Sequence, residues 1–276
     1  MAEEPTVAES SAYRRRSALE RMGAAVGRAL PAGRVRGWLR DAYRAALGAK
    51  ESRLPGGERV RLLAEYRFVT WNPAEYEAFR AAARPGAVAL DVGANVGAYA
   101  LLMGEWVRPG GRVFAFEPAP DAFAGLSRHV ALNGLGEVVT PVRAAVAATS
   151  GRAALLADGI AGTNRLSSSG EGGGAMVETV SLDEFCAREK IAPALIKVDV
   201  EGAELEVLRG ARETLRRVGS GLELFVEMHP TLWREAGIAK EEVMAELERQ
   251  GLRAVPLRPV DDPWALEGEC LRLVRR

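Results

Sequence analysis

Five side chains able to hold or transfer a proton follow short apolar runs, where buried strands are expected to end. They are Asp91, Glu117, Asp199, Glu227 and His229. In open α/β sheets, ligands collect at the carboxyl ends of the strands. Like charges placed together cost free energy unless something neutralises them. This group of residues therefore predicts a binding rim.

The most informative stretch is a glycine-spaced turn that follows the apolar run 88–92. Gly93 and Gly97 have no Cβ, so the backbone can turn sharply and pass close to a bound group. A helix-like pattern begins after them, which predicts helix-start N–H groups over a ligand, and Asn95 is placed to contact that ligand or to cap the helix. Glu117 lies 20 residues beyond Gly97, the spacing at which an acid accepts hydrogen bonds from a ribose. Together these features predict a cofactor that contains adenosine.

Two adenosine cofactors compete for this turn. The dinucleotide fingerprint is G-x-G-x-x-G, whereas this chain has Gly93-x-x-x-Gly97 preceded by Asp91. A pyrophosphate would be repelled by that carboxylate, while the amino group of a methionine moiety would be attracted to it. We therefore favour S-adenosylmethionine, with an NAD-dependent enzyme as the weaker alternative.

The ordered set of motifs resembles the FkbM family of S-adenosylmethionine-dependent methyltransferases. The segments that carry the resemblance are 90–97, 116–118, 181–183, 196–204 and 208–211, with Glu227 in the expected late strand. The resemblance covers about residues 75–230. Many methyltransferases share the first motif, but the ordered set is far more specific. The resemblance implies a class I methyltransferase fold and, most often, O-methylation.

The predicted fold is α/β: a mostly parallel, Rossmann-like class I methyltransferase sheet with helices on both faces. From residue 88 onward, strand-like and helix-like segments alternate, as a parallel sheet requires. Segments 252–257 and 270–274 predict a closing hairpin with an antiparallel edge strand. We place an N-terminal helical extension and linker at 1–57 and the methyltransferase domain at 58–276, with a hairpin insert at about 150–180.

The predicted cofactor-binding residues combine the glycine turn, the strand ends and positions that the resemblance implies. They are Glu75, Asp91, Gly93, Asn95, Gly97, Glu117, Pro118, Asn133, Ala145, Asp199 and Glu201. For Glu75, placement in the first turn of a helix is an equally good explanation. Glu204 is assigned a structural role at a helix start. Lys197 is expected to face away from the neighbours of Asp199 and is assigned no chemistry.

Methyl transfer to a hydroxyl needs a base that takes the proton as the oxygen attacks. The predicted catalytic residues are His229, Asp199 and Glu227, with His229 favoured because acidic neighbours would tune its pKa. Asp199 has alternatives: it could hold the methionine end of the cofactor, or bind Mg²⁺ together with Glu227 or His229. No paired-Asp motif appears, so a metal is not favoured. His129 lies inside a predicted helix and is interpreted as structural.

Composition limits the partners. The 276 residues carry no net charge, which argues against nucleic acid, and no apolar run is long enough to predict a membrane span. Two cysteines and a start without a signal-peptide apolar region predict a cytoplasmic protein.

The expected acceptor is a small-molecule hydroxyl of a sugar or secondary metabolite. An arginine-rich N-terminal arm suggests a homodimer, and a non-catalytic interaction protein that retains the fold is the alternative function.

Overall fold

The computed structural model describes residues 48–66, 68–157, 164–167, 175–260, 262, 264 and 268–276. The helices predicted before residue 48 lie outside these residues. The chain forms two compact units, one of residues 1–51 and 62–68 and the other of residues 52–61 and 69–276. The predicted site residues all belong to the second unit.

The described strands are, in chain order, β1 (Ala49–Arg53), β2 (Arg59–Leu63), β3 (Val88–Val92), β4 (Arg112–Phe116), β5 (Val139–Val142), β6 (Ala145–Val146), β7 (Gly151–Ala157), β8 (Asn164–Ser167), β9 (Ala175–Val180), β10 (Leu195–Val198), β11 (Glu223–Met228), β12 (Leu252–Pro256) and β13 (Glu269–Arg275). The described α-helices are α1 (Pro73–Ala82), α2 (Ala98–Val107), α3 (Pro120–Leu132), α4 (Leu182–Glu189), α5 (Glu204–Arg209), α6 (Arg212–Val218), α7 (Pro230–Glu235) and α8 (Lys240–Arg249). Short 3-10 helices lie at Ala64–Tyr66 and Gly219–Gly221. Among these helices, none combines the length and apolar character that crossing a membrane requires.

The central sheet has the strand order β12-β13-β11-β10-β3-β4-β5. Its strands run parallel except β13, which is antiparallel to both of its neighbours. The closing hairpin is thus confirmed, but its antiparallel strand β13 lies second from the edge, and β12 forms the edge itself. This is the mostly parallel class I methyltransferase fold that the sequence predicts. The order reverses at β3, because the chain passes from β3 to β4 on one side and returns to β10 on the other.

The two faces of the sheet bury different side chains, because successive residues of a strand point to opposite faces. Leu90, Val92, Ile196 and Val198 belong to one hydrophobic core together with residues of α4 to α8. The alternate positions of β3 and β10 face the other side, which includes the buried side chains of α2. The strands are apolar almost throughout because both faces are covered.

Two elements predicted as continuous are broken in the structure. The segment 138–146 divides into β5, in the central sheet, and β6, which joins a second sheet of order β6-β9-β7-β8. The predicted pairing around the insert is confirmed as β7 with β9, while its residues 158–163 and 168–174 lie outside the described chain. The helix predicted at 203–217 is divided at Gly210, where a Cβ would lie 2.1 Å from the carbonyl oxygen of Ala147.

Candidate active site

An open cleft lies where β3, β4 and β10 end, at the reversal of strand order. This is where ligands bind in open α/β sheets. The predicted cofactor residues that line it are Gly93, Asn95, Glu117, Pro118, Ala145, Asp199 and Glu201. The structure therefore gathers in one cleft residues that are more than 100 positions apart in the sequence.

The glycine turn brings the ends of β3 and β10 into contact. Gly93 has φ +81°, and a Cβ there would lie only 1.7 Å from the carbonyl oxygen of Asp199. Two residues later, Asn95 adopts φ 49°, which few non-glycine residues do. Gly97, with φ +89°, begins α2 and packs so close to Leu126 that a Cβ would lie 2.5 Å from the leucine Cδ1. The turn thus requires glycine for both conformation and space.

Glu117 is the acid at the end of β4, and its side chain is held by two backbone N–H groups. The N–H of Ala119 donates to Oε1 at 2.8 Å, and the N–H of Asn95 donates to Oε2 at 2.9 Å. Burial raises the pKa of Glu117 to about 7, although these two hydrogen bonds act to lower it. A carboxylate oxygen can accept more than one hydrogen bond, so each oxygen retains capacity for a ligand hydroxyl.

A lysine joins the acids at the ends of β3 and β10. Lys197 pairs in register with Asp91, and its Nζ donates to Asp199 Oδ2 at 3.0 Å and lies 4.0 Å from Asp91 Oδ1. The expectation that Lys197 faces away was wrong, because residues two apart in a strand share a face. Burial would lower the pKa of Lys197, but Asp199 and Asp91 raise it above its usual value, so the ammonium stays charged.

Asp91 itself is almost fully buried, and neither carboxylate oxygen has a hydrogen-bond partner within the described residues. Burial raises its pKa to about 6, while Lys197 opposes this effect. Asp91 does not line the cleft but lies two residues before Gly93, which does. A buried carboxylate at this place favours a cation nearby, and the ammonium of Lys197, 4.0 Å from Asp91 Oδ1, supplies one.

His229 lies just after β11, and a buried carboxylate fixes its ring. Nδ1 is 2.8 Å from Glu204 Oε1, and Glu204 also accepts hydrogen bonds from Trp233 Nε1 and from the N–H of Gly202. Burial lowers the pKa of His229, but the hydrogen bond to Glu204 and the charges of Glu204 and Glu201 outweigh it and raise the pKa to about 9. Glu204 therefore orients the rim histidine, a role that its helix-start position in the sequence did not indicate.

The other nitrogen of His229 faces two further carboxylates. Nε2 lies 3.6 Å from Glu201 Oε2 and 3.7 Å from Glu227 Oε1. Glu201 adopts φ 50°, an uncommon conformation for a residue other than glycine. Burial raises the pKa of Glu227 to about 8, and the charge of Asp199 adds to the effect. His229 and Glu227 thus lie beside Asp199 and Glu201, which line the cleft, but are not themselves among its lining residues.

Four predicted cofactor residues do not line the cleft: Glu75, Asp91, Gly97 and Asn133. Glu75 is buried in the first turn of α1, and its charge raises the pKa of Glu227. Asn133 ends α3, where its side chain accepts a hydrogen bond from the N–H of Arg61 and donates to that residue's carbonyl oxygen. His129 is fully buried with Nδ1 2.7 Å from the carbonyl oxygen of Val96, in agreement with a structural role.

Sequence reasoning missed most of the apolar lining of the cleft. The lining residues not predicted are Phe116, Ala122, Val146, Leu155, Val200 and Ala203. Phe116 and Val200 directly precede or follow predicted acids, so their place could have been inferred from the strand ends. Leu155 comes from β7, and no local sequence signal indicates that this strand reaches the cleft.

Comparison with known proteins identifies relatives of at least half of the chain. The sequence profile of the methyltransferase FkbM domain matches residues 91–254, more than half of the chain. The hexuronic acid methyltransferase AglP of Haloferax volcanii is 35% identical over 142 residues, which are 50% of this chain and 54% of AglP. This match therefore spans about half the length of AglP. The methyltransferase sdnD of Sordaria araneosa is 28% identical over 194 residues, covering 59% of this chain and 72% of sdnD.

Two methyltransferases are among the solved structures to which the chain was matched. Methyltransferase FkbM from Methylobacillus flagellatus KT is 14% identical with a TM-score of 0.46, covering 91% of this chain and 57% of that chain. An S-adenosylmethionine-dependent O-methyltransferase from Thermotoga maritima is 15% identical with a TM-score of 0.45, covering 86% and 81% of the respective chains.

Proposed function

The chain belongs to the FkbM methyltransferase family, and on that premise we propose that it is an S-adenosylmethionine-dependent O-methyltransferase acting on a hydroxyl of a sugar or other small secondary metabolite. The observation that carries this proposal is the cleft at the strand-order reversal, lined by Gly93, Glu117 and Asp199. It offers an acid for a ribose, a glycine where a ligand can approach the backbone, and negative charge for a cationic group.

The residues present fit this cofactor at both of its ends. Glu117 keeps acceptor capacity on each oxygen, which suits the two hydroxyls of a ribose. Asp91 is a buried carboxylate two residues before Gly93, and its negative charge, added to that of Asp199 in the cleft, favours a sulfonium or an amino group there. The same carboxylate disfavours the pyrophosphate of NAD. Phe116, Val146 and Leu155 supply apolar surface for the adenine.

When bound, S-adenosylmethionine supplies a methyl group on a positively charged sulfur, from which the methyl passes in line to the attacking oxygen. The protein must hold the acceptor oxygen at the rim and accept its proton as the new C–O bond forms. The bond that breaks joins the methyl carbon to sulfur, and its electron pair stays on the sulfur. Because the attacking oxygen loses one proton, a rim residue gains one.

Among the predicted catalytic residues, Glu227 is best placed to accept that proton. Asp199 is occupied by the 3.0 Å hydrogen bond from Lys197, and His229 is held by Glu204. Glu227 lies 3.7 Å from the His229 ring with its carboxylate partly exposed, so an acceptor can approach it. His229 then serves to hold the rim acids in place.

The relatives and the rim both support a sugar as the acceptor. AglP is named as a methyltransferase of a hexuronic acid, which supports a sugar acceptor for this chain as well. Carboxylates at the rim are suitable acceptors for the hydroxyl hydrogens of a sugar. Methylation of a sugar hydroxyl is therefore the reaction that we propose.

Calorimetric titration with S-adenosylhomocysteine tests the cofactor assignment. We expect Glu117→Ala to weaken binding by roughly 10- to 100-fold, because two hydrogen bonds to a charged acceptor are lost. Glu137→Ala, an exposed acid remote from the cleft, is the matched control and should bind like the wild type. Labelled methyl transfer to a panel of sugars and uronic acids then identifies the acceptor. Undetectable binding by the wild type at millimolar ligand would refute the proposal.

A further inference from the structure

We propose that Asp199, Glu201 and His229 form a divalent metal site at the rim of the cleft. The binding of the ion does not depend on the proposed function, but its use in holding an acceptor does. One ligand atom from each of the three residues lies within 4.8 Å of the others. The sequence disfavours a metal because it has no paired-Asp motif, but the fold assembles ligands from two separate segments, the end of β10 and the end of β11.

The orientation of His229 is the first observation that supports a metal. Its Nδ1 is tied to Glu204, a side chain with no exposed surface, so Nε2 is the nitrogen directed towards Asp199 and Glu201. Metal-binding histidines almost always donate their second ring N–H to such a carboxylate, which fixes the tautomer and the ring plane. The carboxylate of Glu204 thus performs the function expected of a residue behind a metal ligand.

The spacing around Nε2 is the second observation. The side chain of His229 is only 6% exposed, and the contacts of Nε2 to Glu201 and Glu227 are 3.6 and 3.7 Å long. Both distances exceed those of N–H···O hydrogen bonds, so no hydrogen bond satisfies this nitrogen within the described residues. Two ligand atoms ~2.1 Å from one octahedral ion are ~3.0 Å apart at 90° and ~4.2 Å apart at 180°. The 3.6 Å between Nε2 and Glu201 lies within this range, so one ion can contact both atoms.

The charge of the rim is the third observation. Asp199, Glu201 and Glu227 face one imidazole, and Lys197, the nearby lysine, is already shared between Asp199 and Asp91. A cation at this place would relieve the repulsion among the carboxylates. It would also permit an acceptor that itself carries a carboxylate, which the bare rim would repel.

The ligand set selects the class of metal. Two carboxylates with one imidazole suit a borderline-hard divalent ion that retains water positions, such as Mn²⁺ or Mg²⁺, better than a thiolate-seeking ion. The open positions would take oxygens of the acceptor, whose hydroxyl becomes more acidic when a cation is bound beside it. Glu227, which remains outside the three-residue set, is then free to accept the proton.

Binding of Mn²⁺ to protein freed of metal with a chelator provides the test. Loss of the electron paramagnetic resonance signal of free Mn²⁺ counts the bound ions without any need for turnover. We expect one ion per chain in the wild type, and at least ~10-fold weaker binding in His229→Ala and Glu204→Gln. Glu206→Gln is the control, because it removes one charge from the same helix at a half-exposed side chain paired with Arg209.

The outcomes separate this proposal from the proposed function. If the wild type binds no Mn²⁺ at millimolar concentration, His229 is a bridge between carboxylates and the metal site is refuted. Equal weakening in Glu206→Gln would also refute it, since only general charge would then be at work. Binding of S-adenosylhomocysteine is measured on the same chelator-treated protein. If the protein binds the cofactor but no Mn²⁺, the metal site is refuted and the methyltransferase proposal is not. If it binds Mn²⁺ but no cofactor, the methyltransferase proposal is refuted and the metal site is not.

Discussion

Single residues at the cleft adopt backbone conformations that have an energetic cost. Asn95 and Glu201, both lining the cleft, have φ of 49° and 50°. Such conformations cost about 1–3 kcal/mol each and persist where the surroundings demand them, often at functional sites. At Asn95 this backbone conformation directs the N–H towards Glu117 Oε2, so its energetic cost is offset in part by the hydrogen bond that positions the Glu117 carboxylate.

Gly93→Ala tests how much the close approach of β3 and β10 matters. The new Cβ would lie 1.7 Å from the Asp199 carbonyl oxygen at φ +81°, so we expect the free energy of unfolding to fall by more than about 2 kcal/mol. Urea unfolding monitored by circular dichroism measures it. Gly86→Ala has the same φ with no atom within 4 Å of the new Cβ, and should cost only about 1–2 kcal/mol. Equal losses in the two variants would mean that the backbone contact has no energetic role.

Helix ends explain why two of the motif segments occur together. The side chain of Asp183, in α4, accepts hydrogen bonds from the N–H groups of Glu213 and Thr214 at 3.0 and 2.6 Å, at the start of α6. The N–H of Asp183 in turn donates to the carbonyl oxygen of Gly210. The segments 181–183 and 208–211 are thus two sides of one junction between helices. Their shared presence in the motif set has a structural cause, since the capping acid satisfies N–H groups that a helix start leaves unpaired.

One buried acid of α8 is paired with the arginine that begins α6. Glu246 accepts hydrogen bonds from Arg212 at 2.7 and 2.5 Å, and these, with smaller contributions from Gln250 and Arg249, hold its pKa at about 2. Because the folded-state pKa lies below the usual value of about 4.3, this stabilisation is complete above about pH 5 and is lost as the pH falls towards 2. Arg212 is half-exposed, so solvent reduces the contribution to about 1–2 kcal/mol.

We therefore expect Glu246→Gln to lower the free energy of unfolding at pH 7 by about 1–2 kcal/mol, with a smaller difference from the wild type at pH 3. Urea titrations of both proteins at the two pH values measure the change. Glu213→Gln, in an exposed pair with Arg216, should leave stability unchanged at both. A difference for Glu246→Gln that persists undiminished at pH 3 would contradict the ion-pair explanation.

At the scale of the whole molecule, the sequence predicts the sheet and the acids at its edge but not the contacts among them. Apolar runs ended by glycine or an acid locate β3, β4 and β10, because buried strands need continuous apolar residues. Glu204 and His229 are 25 residues apart, and nothing local indicates that they meet. Lys197 was misplaced even though the period of a strand could have located it. Val146 and Leu155 reach the cleft through the second sheet, whose placement is a tertiary property.

Binding of the right cofactor should stabilise the folded core as a unit, because the cleft joins the ends of three strands. At a concentration of S-adenosylmethionine about 100-fold above its Kd, binding raises the free energy of unfolding by ~2.7 kcal/mol and the Tm by roughly 5–10 °C. Differential scanning calorimetry measures the shift. NAD at the same concentration should leave the Tm unchanged, because the turn Gly93-x-x-x-Gly97 lacks the glycine pattern that lets a pyrophosphate approach the backbone and follows the carboxylate of Asp91. An equal rise in Tm with NAD would favour a dinucleotide site. If Glu117→Ala shows the same rise in Tm with S-adenosylmethionine as the wild type, the ribose is bound by other residues, because only ligand bound to the folded state raises the Tm.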